Sequence, residues 1–170
     1  MEQLSLMLQN SNLVRYLPTV IIPAIGDTLK MVFISAALSI FFGMILGIIL
    51  VMTAEDGLSP HPIIHGILGK ITDIVRSFPM MILIVAVAPL TRFFIGTKIG
   101  VEAAIFAITL GSTPFATRMT ENSLNTVDPQ LIKMARSIGA SKLQIIFKVM
   151  LVEALPVLIS NFTIMMINML

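Results

Sequence analysis

Long apolar runs alternate with more polar stretches along this chain, and their lengths limit what they can form. The clearest run covers residues 31–52 and contains no charged residue. A helix needs about 20 predominantly apolar residues to cross a hydrocarbon core of roughly 30 Å. The pattern therefore predicts four membrane-spanning helices, at about 28–52, 77–96, 99–119 and 154–170.

Composition supports a membrane protein. Of the 170 residues, 56% are hydrophobic and 12% are charged, whereas soluble domains are about 45–50% apolar and about 25% charged. Such a chain cannot cover itself with a polar surface, so lipid must solvate much of it. The net charge of +2 is small and its basic residues are dispersed, which gives little support to nucleic-acid binding.

The sequence also limits the chemistry available. It contains no cysteine, which excludes disulfides, thiolate catalysis and cysteine-ligated metals. We find no serine nucleophile with a base and no phosphate-binding G-x-x-x-x-G-K-[ST] loop. His61 and His65 are four residues apart, but prolines bracket His61 and no third ligand is evident. We interpret them as a solvated loop pair and predict neither an enzyme nor a metal site.

Basic residues predict the orientation of the spans, because cytoplasmic loops carry an excess of Lys and Arg. Seven of these residues fall on the side of 53–76 and 118–153, against four on the other side. We therefore expect those two loops in the cytoplasm and the N-terminus outside. Segment 13–26 carries two prolines and is predicted to be interfacial. The chain is still apolar at Leu170, so we expect that it lacks a further C-terminal span.

Gly43 and Gly47 form a G-x-x-x-G pattern inside the first span. Small residues at this spacing let another helix approach closely in lipid. We interpret the pattern as packing within this subunit, with a contact between two copies as the second reading.

The third apolar run is the richest in small hydroxylated residues, and it also contains a proline. Hydroxyls can satisfy the backbone groups that a proline frees within the membrane. One reading is therefore a kinked helix whose hydroxyls are satisfied locally, and the other is the lining of a substrate path. The candidate path residues are Thr109, Ser112, Thr113, Pro114 and Thr117, with Ser160 and Asn161 as weaker candidates in the fourth run.

A basic, amphipathic stretch at 129–151 separates the third and fourth runs. Asp128 followed by proline is typical of a helix start, and Gly139 is placed where a left-handed glycine would end that helix. Ser141 and Gln144 match a capping box that starts a second helix. The apolar stripe of the pair would comprise Leu131, Met134 or Ala135, Ile138, Leu143, Ile146 or Phe147, and Met150.

These signals predict two short helices joined by a glycine elbow at about 129–151. The residues leave two readings open. The pair could rest on anionic lipid as an interfacial amphipathic element. Alternatively, it could present a shaped surface that enters a groove on a protein partner.

The same stretch resembles the cytoplasmic signature E-A-A-x3-G-x9-I-x-L-P of ABC importer permeases. Aligned on Gly139, the chain has Lys133 in place of the glutamate, followed by Met134 and Ala135. The last three signature positions are occupied by Val149, Leu151 and Val152. Lys133 thus reverses the charge that the family places at this surface.

The surrounding sequence is more specific than the signature. RSFPMMILIVAVAPLTRFFIGTKIG, VEAAIFAITLGSTPFATRMTENSLN and ARSIGASKLQIIFKVMLVEALP, in this order, resemble the methionine importer permeases, within the type I binding-protein-dependent ABC importer family. The resemblance covers about 26–170. Members of this family usually have five spans.

The resemblance implies an all-α polytopic fold, in which 1–170 is a single permease domain of a type I ABC importer. It further implies a multi-pass subunit of the bacterial inner membrane that forms a homodimer. Its partners would be a cytoplasmic ATPase, which binds ATP and Mg, and an extracytoplasmic substrate-binding protein. No cofactor would be bound by this chain. The implied coupling residues are Lys133, Ala135, Arg136, Gly139, Ala140, Lys142 and Leu143.

Two other functions remain as alternatives. One is a secondary transporter or channel driven by an ion gradient, which an ionisable residue at mid-membrane would favour. The predicted spans carry charges only near their ends. The other is a membrane scaffold that transports nothing.

Overall fold

The structure is a computed structural model that describes residues 17–169. These residues form helices joined by short connections. A π-helical turn, Leu17–Ile21, leads into the first α-helix, and a π-helical segment, Ile145–Met150, joins the last two. The α-helices are α1 (Ile22–Thr53), α2 (Pro62–Ser77), α3 (Met80–Ile95), α4 (Val101–Leu124), α5 (Pro129–Ser137), α6 (Lys142–Gln144) and α7 (Leu151–Met169).

Helix α4 lies at the centre of the bundle and contacts α1, α2, α3 and α7. Within the described residues, two helices are long and apolar enough to cross a membrane, Thr19–Thr53 and Lys142–Met169. The α2–α3 pair would add a third span if the bent pair is counted as one. Helix α4 is not among these candidate spans, because its hydroxylated residues and Arg118 lower its mean hydropathy. Its neighbours surround this polar helix.

Helices α1 and α4 pack with their backbones unusually close together. A Cβ atom added at Gly47 would lie 2.6 Å from the Thr120 Cβ, and one added at Gly43 would collide with Ala116. Both glycines are buried. The G-x-x-x-G pattern therefore mediates packing inside this subunit, as the first sequence reading predicted.

Side-chain hydroxyls join the same two helices. Ser35 Oγ donates to the Ile105 carbonyl at 3.3 Å, and Ser39 Oγ donates to the Thr109 carbonyl at 3.2 Å. Both serines are fully buried. Because a buried hydroxyl needs a partner, these bonds fix which face of α1 can contact α4.

The helix boundaries differ from the predicted ranges at three places. Part of the predicted loop at 53–76 is helix α2, whose apolar residues recur at helical spacing. Helix α4, which corresponds to the third predicted span, continues to Leu124, past the predicted 119. Ion pairs neutralise Arg118 near the end of this helix. The second short helix of the basic stretch does not end near 151, since it continues through the π-helical segment into α7.

The predicted interfacial segment at 13–26 lies partly within the described residues. Residues from Thr19 onward continue without interruption into α1, and Pro23 lies in the first turn of that helix, where a proline is tolerated. Residues 13–16 and Leu170 lie outside the described residues.

The loops predicted to share one side of the membrane meet at one end of the bundle. Leu58, from the connection between α1 and α2, belongs to the same apolar cluster as Leu124 and Val127. Residues from α5 and the π-helical segment complete this cluster. It forms the base on which the basic stretch rests.

The close approach of α1 and α4 gives a first prediction. Gly47→Ala should lower the free energy of unfolding by about 1–3 kcal/mol, because the added methyl group forces the helices apart. Gly26→Ala is the matched control in the same helix, where an added Cβ has no neighbour within 4 Å. Thermal unfolding of the detergent-solubilised protein measures both, and equal midpoints for the two variants would contradict the packing role.

Candidate coupling element and substrate path

The basic stretch begins and turns where its sequence predicts. Asp128 caps α5, since its Oδ1 accepts a hydrogen bond of 2.8 Å from the backbone N–H of Gln130. Gly139 has a φ of 80°, and the bonds Gly139 N–H to Arg136 O and Ala140 N–H to Ala135 O form a Schellman motif. The predicted helix start and glycine elbow are thus confirmed.

The second helix is also capped as predicted. Ser141 Oγ accepts from the backbone N–H of Gln144 at 3.3 Å, and Gln144 Oε1 accepts from the backbone N–H of Ser141 at 2.8 Å. This reciprocal pair is a complete capping box. With caps on both sides of Gly139, the angle between α5 and α6 is set by local hydrogen bonds.

Apolar and polar contacts attach this element to the bundle. Ala135, Ile145 and Ile146 are buried in the cluster around Leu58. In addition, an Arg136 guanidinium nitrogen donates to the Gly57 carbonyl at 3.3 Å. Lys142 Nζ donates to Ser59 Oγ at 3.2 Å. Two of the predicted coupling residues, Arg136 and Lys142, therefore contact the connection that follows α1.

Part of the predicted apolar stripe faces away from the bundle instead of into it. Ile138 is 81% exposed, and Leu143, Met134 and Phe147 are 64%, 60% and 59% exposed. Ala135 is the buried residue before the turn at Gly139, and Ile145 and Ile146 are buried after it, so these four side chains lie outside the cluster. Lys133, in the same helix as Met134, is also exposed. We call Lys133, Met134, Ile138, Leu143 and Phe147 the outer face.

The remaining coupling candidates differ in exposure. Gly139 is exposed, Ala140 is half-buried and Ala135 is buried. The element therefore has a buried side that fixes it and an outer face that combines apolar groups with one lysine. Such a surface is suited to contact with a complementary groove.

The candidate path residues of α4 differ in exposure. Thr109, Ser112 and Thr117 are buried, whereas Thr113 and Pro114 are half-buried. Thr113 and Thr117 donate their hydroxyls to backbone carbonyls one turn earlier, at 2.7 Å and 2.8 Å. Local satisfaction of hydroxyls around the proline is therefore present, as the first of the two readings requires.

The path candidates also differ in their hydrogen bonds and in their access to a substrate. Thr117 is fully buried beside the Gly43 and Gly47 contact, so contact with a substrate would require α1 and α4 to separate. The Thr109 hydroxyl has no hydrogen-bond partner among the described residues. In α7, Asn161 Nδ2 donates to Ser123 Oγ at 2.8 Å, and Ser160 is exposed.

Two recesses contain candidate path residues of α4. A cavity of about 350 Å³ contains Ser112 together with Arg76, Phe115 and Asn168. A larger groove of about 640 Å³ runs between α1, α3 and α4 and is almost entirely apolar, with Thr109 and Thr113 on its wall. Of these two recesses, the first combines a cation, polar groups and an apolar wall.

A charged network near the end of α4 was missed by the sequence analysis. Arg118 donates to both Asp73 carboxylate oxygens, at 3.1 Å and 2.7 Å, and to the Gly69 carbonyl at 3.1 Å. It also donates to Glu121 Oε2 at 2.6 Å. The Glu121 pair could be expected from its spacing on a helix, but nothing local indicates a partner 45 residues earlier. This network attaches α2 to α4.

His65 also differs from its prediction. It lies half-buried in α2, and its Nδ1 is 3.1 Å from the Leu50 carbonyl oxygen. The interpretation as a solvated loop histidine is therefore wrong, because 62–77 folds into a helix that packs against α1.

Known proteins share both the sequence and the fold. The chain is 40% identical over 149 residues to a probable D-methionine transport system permease protein of Vibrio cholerae, which covers 88% of this chain and 66% of the relative. The corresponding Escherichia coli protein is 36% identical, with 88% and 69% covered. The methionine import system permease protein of Bacillus subtilis is 37% identical over 116 residues, with 68% and 52% covered. The chain thus spans about two thirds of the first relative.

Solved structures agree. A chain of the MetNI methionine ABC transporter, in an inward-facing crystal form, superposes with a TM-score of 0.85 at 36% identity, covering 87% of this chain and 68% of that one. An amino acid ABC transporter solved with histidines gives a TM-score of 0.69 at 20% identity, covering 93% and 72%, and shows the fold alone. The expected all-α type I importer fold is confirmed.

A family model supplies the last comparison. The model described as binding-protein-dependent transport system inner membrane component matches residues 39–170. This range contains the basic stretch and most of the described helices. The chain therefore belongs to the family of binding-protein-dependent transport system inner membrane components.

Proposed function

We propose that this chain is the permease subunit of an ATP-driven importer whose substrate is methionine or a closely related amino acid. It crosses the bacterial inner membrane several times and functions as a homodimer. The substrate class is supported by relatives at 34–40% identity, which are D-methionine transport system permease proteins or probable ones. The chain performs no bond chemistry, and it belongs to a family of transport components rather than enzymes.

The energy source in this proposal is a separate cytoplasmic ATPase, which binds ATP and Mg. The sequence has no phosphate-binding loop of its own, which supports placing the nucleotide on the partner. An extracytoplasmic binding protein delivers the substrate. Closure of the ATPase pair opens the two permease copies outward, and hydrolysis returns them inward.

The observation that carries this proposal is the outer face of the basic stretch. Four large apolar side chains are exposed there without cover from the described residues. Reciprocal caps and the Gly139 elbow fix their arrangement, so little conformational entropy is lost when a groove receives them. The outer face is thus suited to dock on the ATPase.

Movement of this docking surface can be transmitted to the membrane-spanning helices. Residues Lys142–Met169 form one helix of 28 residues, so a displacement of Leu143 is transmitted along α7. Arg136 and Lys142 bond to the connection after α1. Movement of the outer face would therefore change the positions of α1 and α7 around α4.

The substrate path in this proposal follows the polar side of α4. Ser112 is its best-placed residue, because it borders the recess that also contains Arg76 and Asn168. Thr109, Thr113 and Pro114 border the path when the helices move, and Ser160 and Asn161 contribute from α7. Thr117 joins it only where α1 and α4 separate.

Two competing functions predict different outcomes in a reconstituted system. A transporter driven by an ion gradient would accumulate methionine without ATP, and a scaffold would bind the ATPase without any uptake. Uptake that depends on both ATP and the partner ATPase in proteoliposomes supports the proposal. Either of the other two results would reject it.

The outer face gives a specific prediction. Ile138→Ser should weaken association with the ATPase about tenfold, since burying an aliphatic side chain contributes about 1.5 kcal/mol or more. Stimulated ATP hydrolysis should fall in parallel at a fixed subunit concentration. Titration of the purified permease with the ATPase measures both quantities.

The matched control is Ile99→Ser, which changes an isoleucine of nearly the same exposure, 86% against 81%, in the connection between α3 and α4. It should leave association unchanged. If the two variants weaken association equally, the effect is not specific to the outer face and the docking role is lost.

Charge at the same surface gives another prediction. Lys133→Glu restores the sign that the family signature has at this position, and it should change the association constant by up to about fivefold, the range of an exposed ion pair. Lys98→Glu is the control, because it reverses the charge of an exposed lysine in another connection. If Lys133→Glu matches the parent protein in both association and ATPase stimulation, Lys133 is not a coupling contact.

A further inference from the structure

We propose that α2 lies in the plane of the membrane interface, with a row of isoleucines inserted among the acyl chains of one leaflet. The partner of this surface is lipid. Helix α2 has three flanks of different chemistry, and each flank has a different environment. The angle between α2 and α3 then places the apolar flank of α2 toward lipid.

The first flank is apolar and has no cover within the described residues. It consists of five isoleucines with exposures between 44% and 66%. At 3.6 residues per turn they occupy a continuous arc of about 100°. We call this set the isoleucine flank: Ile63, Ile64, Ile67, Ile71 and Ile74.

The second flank holds α2 against the bundle. Gly69 and Thr72 are buried there, and the Gly69 carbonyl accepts from Arg118. His65 lies on the same side, next to the Leu50 carbonyl. Because polar contacts fix this flank to α1 and α4, the helix cannot rotate to bury its isoleucines without breaking them.

The third flank is polar and exposed. Lys70, Asp73 and Ser77 lie there, with the Asp73 carboxylate accepting from Arg118. Lys70 borders the edge of the isoleucine flank on a helical wheel. A lysine at such an edge can extend its ammonium group toward headgroups and water while its stem covers apolar surface. Adjacent apolar and charged flanks are typical of helices that lie in the membrane interface.

The angle between α2 and α3 supports the same placement. The two helices are bent by 115° at the break between them, where Pro79 precedes α3 and Phe78 has an extended backbone. If α3 crosses the bilayer along its normal, α2 lies within about 25° of the membrane plane, since 115° differs from a right angle by that amount. This step rests on the multi-pass arrangement proposed above.

Exposed apolar residues also follow the isoleucine flank along the chain into α3. Phe78 is 51% exposed at the junction, and Met81 and Val85 of α3 are 79% and 73% exposed. The same lipid that covers α3 can therefore cover α2. A second copy of this chain on the isoleucine flank is the competing occupant, and the experiment below separates the two.

The test uses nitroxide labels on single cysteines, which is direct because the chain contains no cysteine of its own. The labelled variants are Ile63→Cys and Ile74→Cys on the isoleucine flank, Ser77→Cys on the polar flank and Val85→Cys on α3. Each full-length protein is assembled with its ATPase in proteoliposomes. Collision rates with oxygen and with a water-soluble nickel chelate then report the depth of each label.

Labels at 63 and 74 should collide with oxygen more than with the chelate, and the label at 77 should show the reverse. The depths at 63 and 74 should differ by less than about 7 Å, the rise expected for a 25° tilt over eleven residues at 1.5 Å each. A helix along the bilayer normal would separate them by about 16 Å. The label at 85 should lie deeper than both.

Three results would overturn the inference. Labels at 63 and 74 that favour the chelate would place the flank in water. Weak collision with both reagents, together with spin–spin broadening between copies, would place it in a protein interface. A label at 85 that is exposed to water would also reject the multi-pass arrangement, whereas the first two results would leave that arrangement intact.

Discussion

The close contact between α1 and α4 is the interaction on which the rest of this structure depends. Helix α4 carries hydroxyls, a proline and an ion-paired arginine, so lipid alone would solvate it poorly. Gly43 and Gly47 bring the α1 backbone against it, and Ser35 and Ser39 donate to its carbonyls. With most of its polar groups satisfied locally or by α1, α4 can serve as the centre that the other helices contact.

A polar central helix suits a transport component for a physical reason. Its hydroxyls bond mainly to carbonyls of the same helix, as Thr113 and Thr120 do. These bonds persist when a neighbouring helix moves, so the helix can be uncovered at a low cost in unsatisfied groups. The packing reading and the path reading of the hydroxyl residues are therefore compatible, because local satisfaction is what allows exposure.

Signals that act within a few residues could be predicted from the sequence. The Asp128 cap, the Gly139 elbow and the Ser141 capping box all depend on hydrogen bonds between neighbours, and the G-x-x-x-G pattern indicated close packing correctly. Contacts between distant residues could not be predicted. Arg118 donates a hydrogen bond to Asp73, which lies 45 residues earlier in the chain. That ion pair attaches α2 to α4. The loop prediction for 53–76 failed at the same place.

Amphipathic character alone does not tell what an exposed apolar surface contacts, and this chain contains two such surfaces. Ile138 and Leu143 flank an elbow that local caps hold in one bend, which gives them a defined shape. The isoleucine flank is a straight row along one helix. A fluid bilayer can solvate a straight row of apolar side chains, but it has no fixed shape that would match a particular bend. A protein groove does have such a shape. The lipid reading first considered for 129–151 therefore fits α2 better, and the docking reading fits the element whose geometry is fixed.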